Sequence, residues 1–256
     1  PKIEKVLENN TINLNYIVNE GPRVYVNTIN IQNNTRTVDR VIRREMSISE
    51  GDAYNKYAIN YSKDSIRALD FFSSVDIKER NTEFPDKLDL DITVEEKNTG
   101  EASLGAGYSS SSSATLTLGL RENNFLGKGQ KLNFTTAFSD TRSTYDISFT
   151  EPYFNGKKLS LTSQIYSNFS DPSSVNYETE DLGLGFSVGF PISASVAFNG
   201  RYSLYTSKTK ADAGATAYER LLSGTDTISL LGYSIFNLLK NDYSINLSKA
   251  KFFKEV

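Results

Sequence analysis

The chain has 256 residues and a net charge of −3, a length that suits one or two domains and a balance without the basic excess that nucleic acid requires. Cys, His and Trp are all absent. That excludes thiolate and Ser-His-Asp catalysis, disulfides and Cys/His metal centres, and it implies no cofactor. The first residues, Pro1-Lys2-Ile3-Glu4-Lys5, have neither the basic nor the apolar region of a signal peptide. No run approaches the roughly 20 apolar residues of a membrane helix. Hydropathy alone would read as a water-soluble chain, but transmembrane barrels hide their apolar face in a period of two.

In chain order, 11–19 alternates Ile12, Leu14, Tyr16 and Val18 with polar residues and predicts a strand. Gly21-Pro22 punctuates it, and a second strand is predicted over 24–31. Asn33-Asn34-Thr35 reads as a turn. Thr37 is placed to cap a helix over 38–46, with Gly51 near its end. A second helix is expected over 55–72, where Tyr57, Tyr61, Ile66, Leu69 and Phe72 fall near helical spacing. Strands over 75–80 and 87–95 follow. The order β-α-α-β-β makes a small domain with one modest core. Residues 1–20 resemble the closing strands of a preceding copy, so the chain is expected to begin inside a tandem repeat.

From Gly100 the texture changes. Charges thin out and nearly every segment alternates. Leu104, Ala106 and Tyr108 oppose Ser103, Gly105 and Gly107; Leu182, Leu184 and Phe186 oppose Gly183, Gly185 and Ser187. Eight or nine such strands are expected, the eighth over 226–236 with its facing left open by Leu230-Leu231, and a ninth near Lys251. A soluble sandwich would load its polar face with Lys and Glu. Here that face is mostly Gly, Ser, Thr and Asn, as a barrel lumen requires, and strands of about nine to eleven residues fit a membrane span. The longest connection (207–225) and the tight turn at 191–193 fall on opposite ends of the strands, matching a long-outside, short-inside barrel. Phe125, Tyr153, Phe154 and Phe190 fit an interfacial aromatic girdle.

Several stretches resemble the BamA-like outer-membrane assembly factors, a family that joins POTRA domains to a surface-antigen barrel. Gly21-Pro22-Arg23-Val24-Tyr25-Val26, Val41-Ile42-Arg43-Arg44-Glu45-Met46 and Leu69-Asp70-Phe71-Phe72 look like the barrel-proximal POTRA domain. Gly105-Ala106-Gly107-Tyr108 resembles the first barrel strand, Asn123-Asn124-Phe125-Leu126-Gly127-Lys128-Gly129 the first turn after it, and Thr150-Glu151-Pro152-Tyr153-Phe154 the end of the fourth strand. The fold implied is an α+β POTRA domain followed by the first eight or nine antiparallel strands of an incomplete transmembrane β-barrel. Residues 1–20 would end a preceding POTRA domain, 21–98 form the barrel-proximal one, and 99–256 the leading half of the barrel.

The resemblance implies a bacterial outer-membrane protein, with its POTRA domain in the periplasm, that assembles and inserts β-barrel clients. Its partners would be unfolded outer-membrane proteins, accessory lipoproteins and outer-membrane lipid. The action is strand templating, at a lateral seam and by strand addition to the POTRA domain, without enzymatic chemistry. The seam strand would comprise Glu101, Ala102, Ser103, Leu104, Gly105, Ala106, Gly107, Tyr108 and Ser109. Two readings of Gly105 and Gly107 stand side by side: a strand left loose enough to unzip, or one fitted to a tight lumen. Glu50, with Arg43 and Arg44 nearby, matches the family position that contacts a partner lipoprotein; the alternative is a solvated helix end.

Carboxylate pairs Asp89/Asp91 and Glu95-Glu96 are expected as exposed charge on an alternating strand. The run at 109–113 has no base partner, and Gly127-Lys128-Gly129 lacks phosphate-loop spacing. Rival readings are a two-partner secretion transporter, a TamA-like factor or a passive porin, the last disfavoured by residues 1–97. The family barrel has about sixteen strands and closes on its first. The Arg-Gly-Phe loop and closing strand have no counterpart here, so the chain is expected to be a C-terminally truncated fragment. Open strand edges predict that this chain alone aggregates in aqueous buffer; a monomeric product with one cooperative unfolding transition contradicts that expectation.

Overall fold

Every second residue of β5 (Lys87–Glu96) from Leu88 to Val94 is apolar, and a strand buries such a face as a unit. In the computed structural model of the protein Leu88, Leu90, Ile92 and Val94 are all buried. The structure describes residues 22–110, 113–193, 196–211, 214 and 216 with their side chains, and the backbone alone of 2–8, 11–17, 228–235, 237–238, 245–246 and 249–252. Gly21, most of the expected loop over 207–225, and Asp226 and Phe236 of the expected eighth strand lie outside the described residues. The chain divides into two units: Pro1–Thr35 with Ile42–Lys97, and Arg36–Val41 with Asn98–Val256.

In the first unit β1 (Lys2–Glu8) and β2 (Thr11–Ile17) form an antiparallel hairpin. β5 is the centre of a separate sheet, between β3 (Tyr25–Gln32), which is parallel to it, and β4 (Phe72–Asn81), which is antiparallel. A parallel neighbour demands a crossover. The chain supplies it through α1 (Asp39–Arg43) and α2 (Lys56–Ala68). Asn55 caps α2, its side chain accepting from the amides of Tyr57 and Ala58.

The buried face of α2 is Ile59, Ser62 and Ile66, whereas Tyr57 and Tyr61, expected there, are exposed. Ser62 is tolerated in the core because its hydroxyl accepts from Ser47 N at 2.8 Å and donates to Ala58 O at 2.7 Å. The expected helix over 55–72 also stops early. Asp70 takes a left-handed backbone (φ 62°), which a helix cannot continue, and Phe72 already opens β4.

The second unit carries a nine-stranded antiparallel sheet. Its strands are β6 (Gly100–Ser109), β7 (Ser113–Phe125), β8 (Gln130–Ser139), β9 (Arg142–Glu151), β10 (Ser160–Ser170), β11 (Tyr177–Pro191), β12 (Ala197–Ala211) and β13 (Ile228–Ile235), closed off by a final strand after a two-residue ladder of β14 (Asn237–Leu238) and β15 (Ile245–Asn246). That last strand, β16 (Lys249–Phe252), pairs with β13. Each of β6 to β13 pairs with its sequence neighbour, and the sheet is open, with β6 at one edge and β16 at the other.

Direct cross-strand partners put Ala102, Leu120, Phe134, Ile147, Ile165, Leu184, Leu204, Leu231 and Phe252 in one line. Leu231, rather than Leu230, thus occupies the apolar register. Burial is inverted relative to a water-soluble sheet: Leu182, Leu184 and Phe186 are exposed, and Gly183 and Gly185 between them are buried. Among the described residues no helix is long and apolar enough to cross a membrane, which has no bearing on crossing by strands.

The turn from β7 to β8 needs its glycines. Leu126, Gly127 and Gly129 all have positive φ, and Asn124 braces the turn by accepting from Gly129 N at 2.8 Å while donating to Thr37 Oγ1 at 2.9 Å. Val38 N–H donates to Gly127 O at 3.0 Å, and a Cβ on Gly127 would overlap the Arg36 carbonyl. Gly127→Ala is therefore expected to cost about 1–3 kcal/mol locally. Faster hydrogen exchange of the Val38 amide is the readout; an unchanged rate refutes the clash.

Candidate functional site

All ten residues of β6 are exposed, because among the described residues it pairs with β7 alone. Ala102, Leu104, Ala106 and Tyr108 share the apolar side, opposite Leu120, Leu118, Leu116 and Ala114 of β7. Glu101, Ser103, Gly105, Gly107 and Ser109 hold the polar side. A Cβ at Gly107 would meet nothing within 4 Å, and at Gly105 only Thr117 at 3.8 Å. Within this chain, β7 leaves room for a side chain at both positions. On the polar side Ser103 Oγ donates to Gly119 O at 3.5 Å. The free edge presents backbone N–H and C=O groups in strand geometry, which is the chemistry of strand addition.

The polar face is tied laterally beyond β6. Arg121 Nε donates to Asn133 Oδ1 at 3.0 Å, and Asn133 Nδ2 to Ser148 Oγ at 3.4 Å. Arg201 donates to Gln164, which donates to Asp146, so one relay crosses from β12 to β9. It passes over Gly185, whose missing side chain leaves the room: Gln164 and the Arg201 guanidinium lie 3.2 and 3.5 Å from where its Cβ would stand. Near one end of the strands, Phe190 stacks on Phe198 at 5.0 Å and Phe125 meets Phe149 edge-on at 6.4 Å. The relay was not legible as a site, since Asp146 and Arg201 read singly as scattered charges. Strand register is the signal that joins them.

In the first unit the expected contact residues are engaged at the edge of β3. The register slips between Val26 and Ile29, a bulge against β5. On the side away from β5, Glu50 Oε1 accepts from Ile29 N at 3.0 Å and Arg43 donates to Ile29 O at 2.6 Å. The two side chains also pair at 3.4 Å, each about half exposed. Arg44 instead faces Glu45 at 3.6 Å, with both largely buried.

On the other side of the bulge stands Asp89, and here the expectation of exposed charge is corrected: it is buried. Asp89 Oδ1 accepts from Asn27 Nδ2, Thr28 N and Thr28 Oγ1, and Arg80 lies 3.0 Å from Oδ2. Asp91 is held by Asn30 and Arg80. Alternation predicted the side of the strand correctly but not that a bulge would cover it with donors.

The Omp85 superfamily domain matches residues 124–248, and the POTRA domain described as the surface antigen variable number repeat matches residues 24–97. The chain is 30% identical over 236 residues to the outer membrane protein assembly factor BamA of Neorickettsia risticii, covering 91% of this chain and 32% of that protein. It is 29% identical over 193 residues to BamA of Neisseria meningitidis serogroup B, covering 72% and 24%. Its fold is similar to the crystal structure of Haemophilus ducreyi BamA lacking POTRA domains 1–3, with a TM-score of 0.75 at 24% identity over 95% of this chain and 50% of that one. The chain is BamA-like. It spans about a quarter to a third of the length of these two curated relatives.

Five carboxylates of this BamA-like chain's POTRA unit are held below their ordinary values. Hydrogen bonds lead in each case: from the Ile29 amide to Glu50, from Lys63 to Asp76, from Lys56 to Glu79, from Thr28 to Asp89 and from Arg80 to Asp91. A carboxylate with a depressed native pKa contributes stability above its unfolded value and loses it as pH falls through the native one. Stability of this unit is expected to hold above pH 4.5 and to decline on acidification past the ordinary values of 4.5 for Glu and 3.8 for Asp. The helical circular-dichroism signal, followed in urea at successive pH values, measures this. A midpoint that does not fall below pH 4.5 contradicts it.

Proposed function

We propose that this chain provides the barrel-proximal POTRA domain and leading barrel strands of an outer-membrane factor that assembles and inserts β-barrel proteins. The observation that carries the reading is a nine-stranded antiparallel sheet, with β6 as its first strand, in which Leu182, Leu184 and Phe186 are exposed and Gly183 and Gly185 between them are buried. In hydrocarbon an unpaired backbone N–H or C=O costs several kcal/mol. A free strand edge at that depth therefore favours the next unfolded strand to arrive. The client gains main-chain partners from residues 101–109, and its alternating side chains fall into register with the outward apolar line. No bond is made or broken, so the activity is templating, not enzymatic catalysis.

The outward apolar line is the lipid-facing surface on this reading, which puts β6 to β16 in the outer membrane and the POTRA domain in the periplasm. Unfolded outer-membrane proteins are the clients. They add a strand both to β6 and to the edge of β3. Accessory lipoproteins are the further partners, and the half-exposed Arg43–Glu50 pair is their contact, while Arg44 is largely buried against Glu45. Main-chain hydrogen bonds are blind to sequence, so the template does not depend on the client's side chains for its strand pairing.

The chain has no Cys, so an introduced thiol is unique within it. In the full-length protein, Ser103→Cys and Ser109→Cys are expected to form crosslinks to an assembling barrel client bearing a cysteine in its terminal strand. Neither position yielding an adduct while assembly proceeds would rule out β6 as the template.

A further inference from the structure

The outer edge of β3 is closed in two different ways along its length. At its start a neighbouring chain segment covers it: Val26 N donates to Asp52 O at 2.9 Å, Gly51 N donates to Val26 O at 2.8 Å, and Tyr54 N to Val24 O at 2.7 Å. Tyr25 and Ala53 form an antiparallel bridge there. This edge therefore already takes an extended antiparallel partner. After the bulge the covering segment is gone, and at Ile29 side chains take over. The Glu50 carboxylate occupies the amide and the Arg43 guanidinium occupies the carbonyl. A carboxylate accepting and a guanidinium donating reproduce the acceptor and donor that an antiparallel neighbour would bring.

We infer that Arg43 and Glu50 form a latch that stands in for a missing strand at Ile29, and that releasing it opens the edge of β3 to an extended segment of an unfolded client. The inference rests on the proposed strand addition to β3 and names what regulates it. Both latch bonds involve an ionised group, and such bonds are stronger than the neutral pair a single client residue offers in exchange. A stray peptide therefore does not displace them. A cationic side chain of a partner that engages Glu50 breaks the ion pair and removes the acceptor from Ile29 in one step. Half-exposure of both side chains keeps them within a partner's reach. Partner contact and opening of the edge are then one event.

Hydrogen exchange in the full chain, reconstituted in lipid nanodiscs, tests the latch. In Glu50→Ala the Ile29 amide is expected to exchange at least tenfold faster, while the Val26 amide, bonded to Asp52, and the core amides of Leu90 and Ile92 keep their rates. An Ile29 amide as fast in the unsubstituted chain overturns the latch. Should the core amides loosen too, Glu50→Gln, which keeps an acceptor but loses the ion pair, decides by the same comparison. A photo-crosslinking residue at the exposed Gln32 then reads the second half of the inference, with a urea-denatured barrel protein as probe. Several-fold more adduct in Glu50→Ala supports the gate, and equal yields overturn it. No adduct in any form, with Ile29 released, overturns strand addition at β3 itself and leaves the latch standing.

Discussion

Ile147 and Ile165 face one another across β9 and β10, and that single pairing belongs to a line of apolar residues crossing all nine strands of the sheet. The line exists because side chains alternate with a period of two and neighbouring strands keep one register. A slip of one residue in any strand would turn its Leu and Phe residues to the face that carries Asp146, Gln164 and Arg201. Everything else in the second unit follows from holding that register. Small residues such as Gly183 and Gly185 are buried because the polar face is where Tyr166, Gln164 and Arg201 must find room. The relay from Arg201 to Asp146 in turn spans β12 to β9 and resists slippage.

The two units treat sheet edges in opposite ways. Around β3 the free groups of Val24, Val26 and Ile29 are all occupied, by the segment at 51–54 and by the Arg43–Glu50 pair. A strand edge in water is a site for unwanted association, and occupying its groups blunts it. Among the described residues β6 pairs with β7 alone. Its polar side is small, its apolar side is exposed, and its residues pair in register with β7 from Gly100 to Ser109.

The bulge in β3 shows how a few polar groups decide a local geometry. Extra residues there would leave unpaired amides, and Asp89 and Glu50 collect them from opposite sides. Burial of Asp89 is tolerable only because Asn27, Thr28 and Arg80 surround it. The same carboxylate in a regular strand would have stayed in water, as alternation suggests.

Periodicity alone determined the two-part organisation, the β-α-α-β-β order and the outward alternation of the later strands, because a two-residue or 3.6-residue pattern is written in adjacent residues. The first strand of that series was legible as well, from the alternation of Leu104, Ala106 and Tyr108 with small residues. Tertiary structure decided the rest. Asp70 ended α2 where the apolar spacing continued, because a left-handed residue was needed to turn into β4. Leu231, not Leu230, joined the apolar line, since only pairing with Leu204 sets that register. Asp89 became buried, and Arg43 and Glu50 became the neighbours of Ile29. Each depends on groups 7 to 62 residues apart in the chain meeting through a bulge, and no local pattern records which distant donor will face which acceptor.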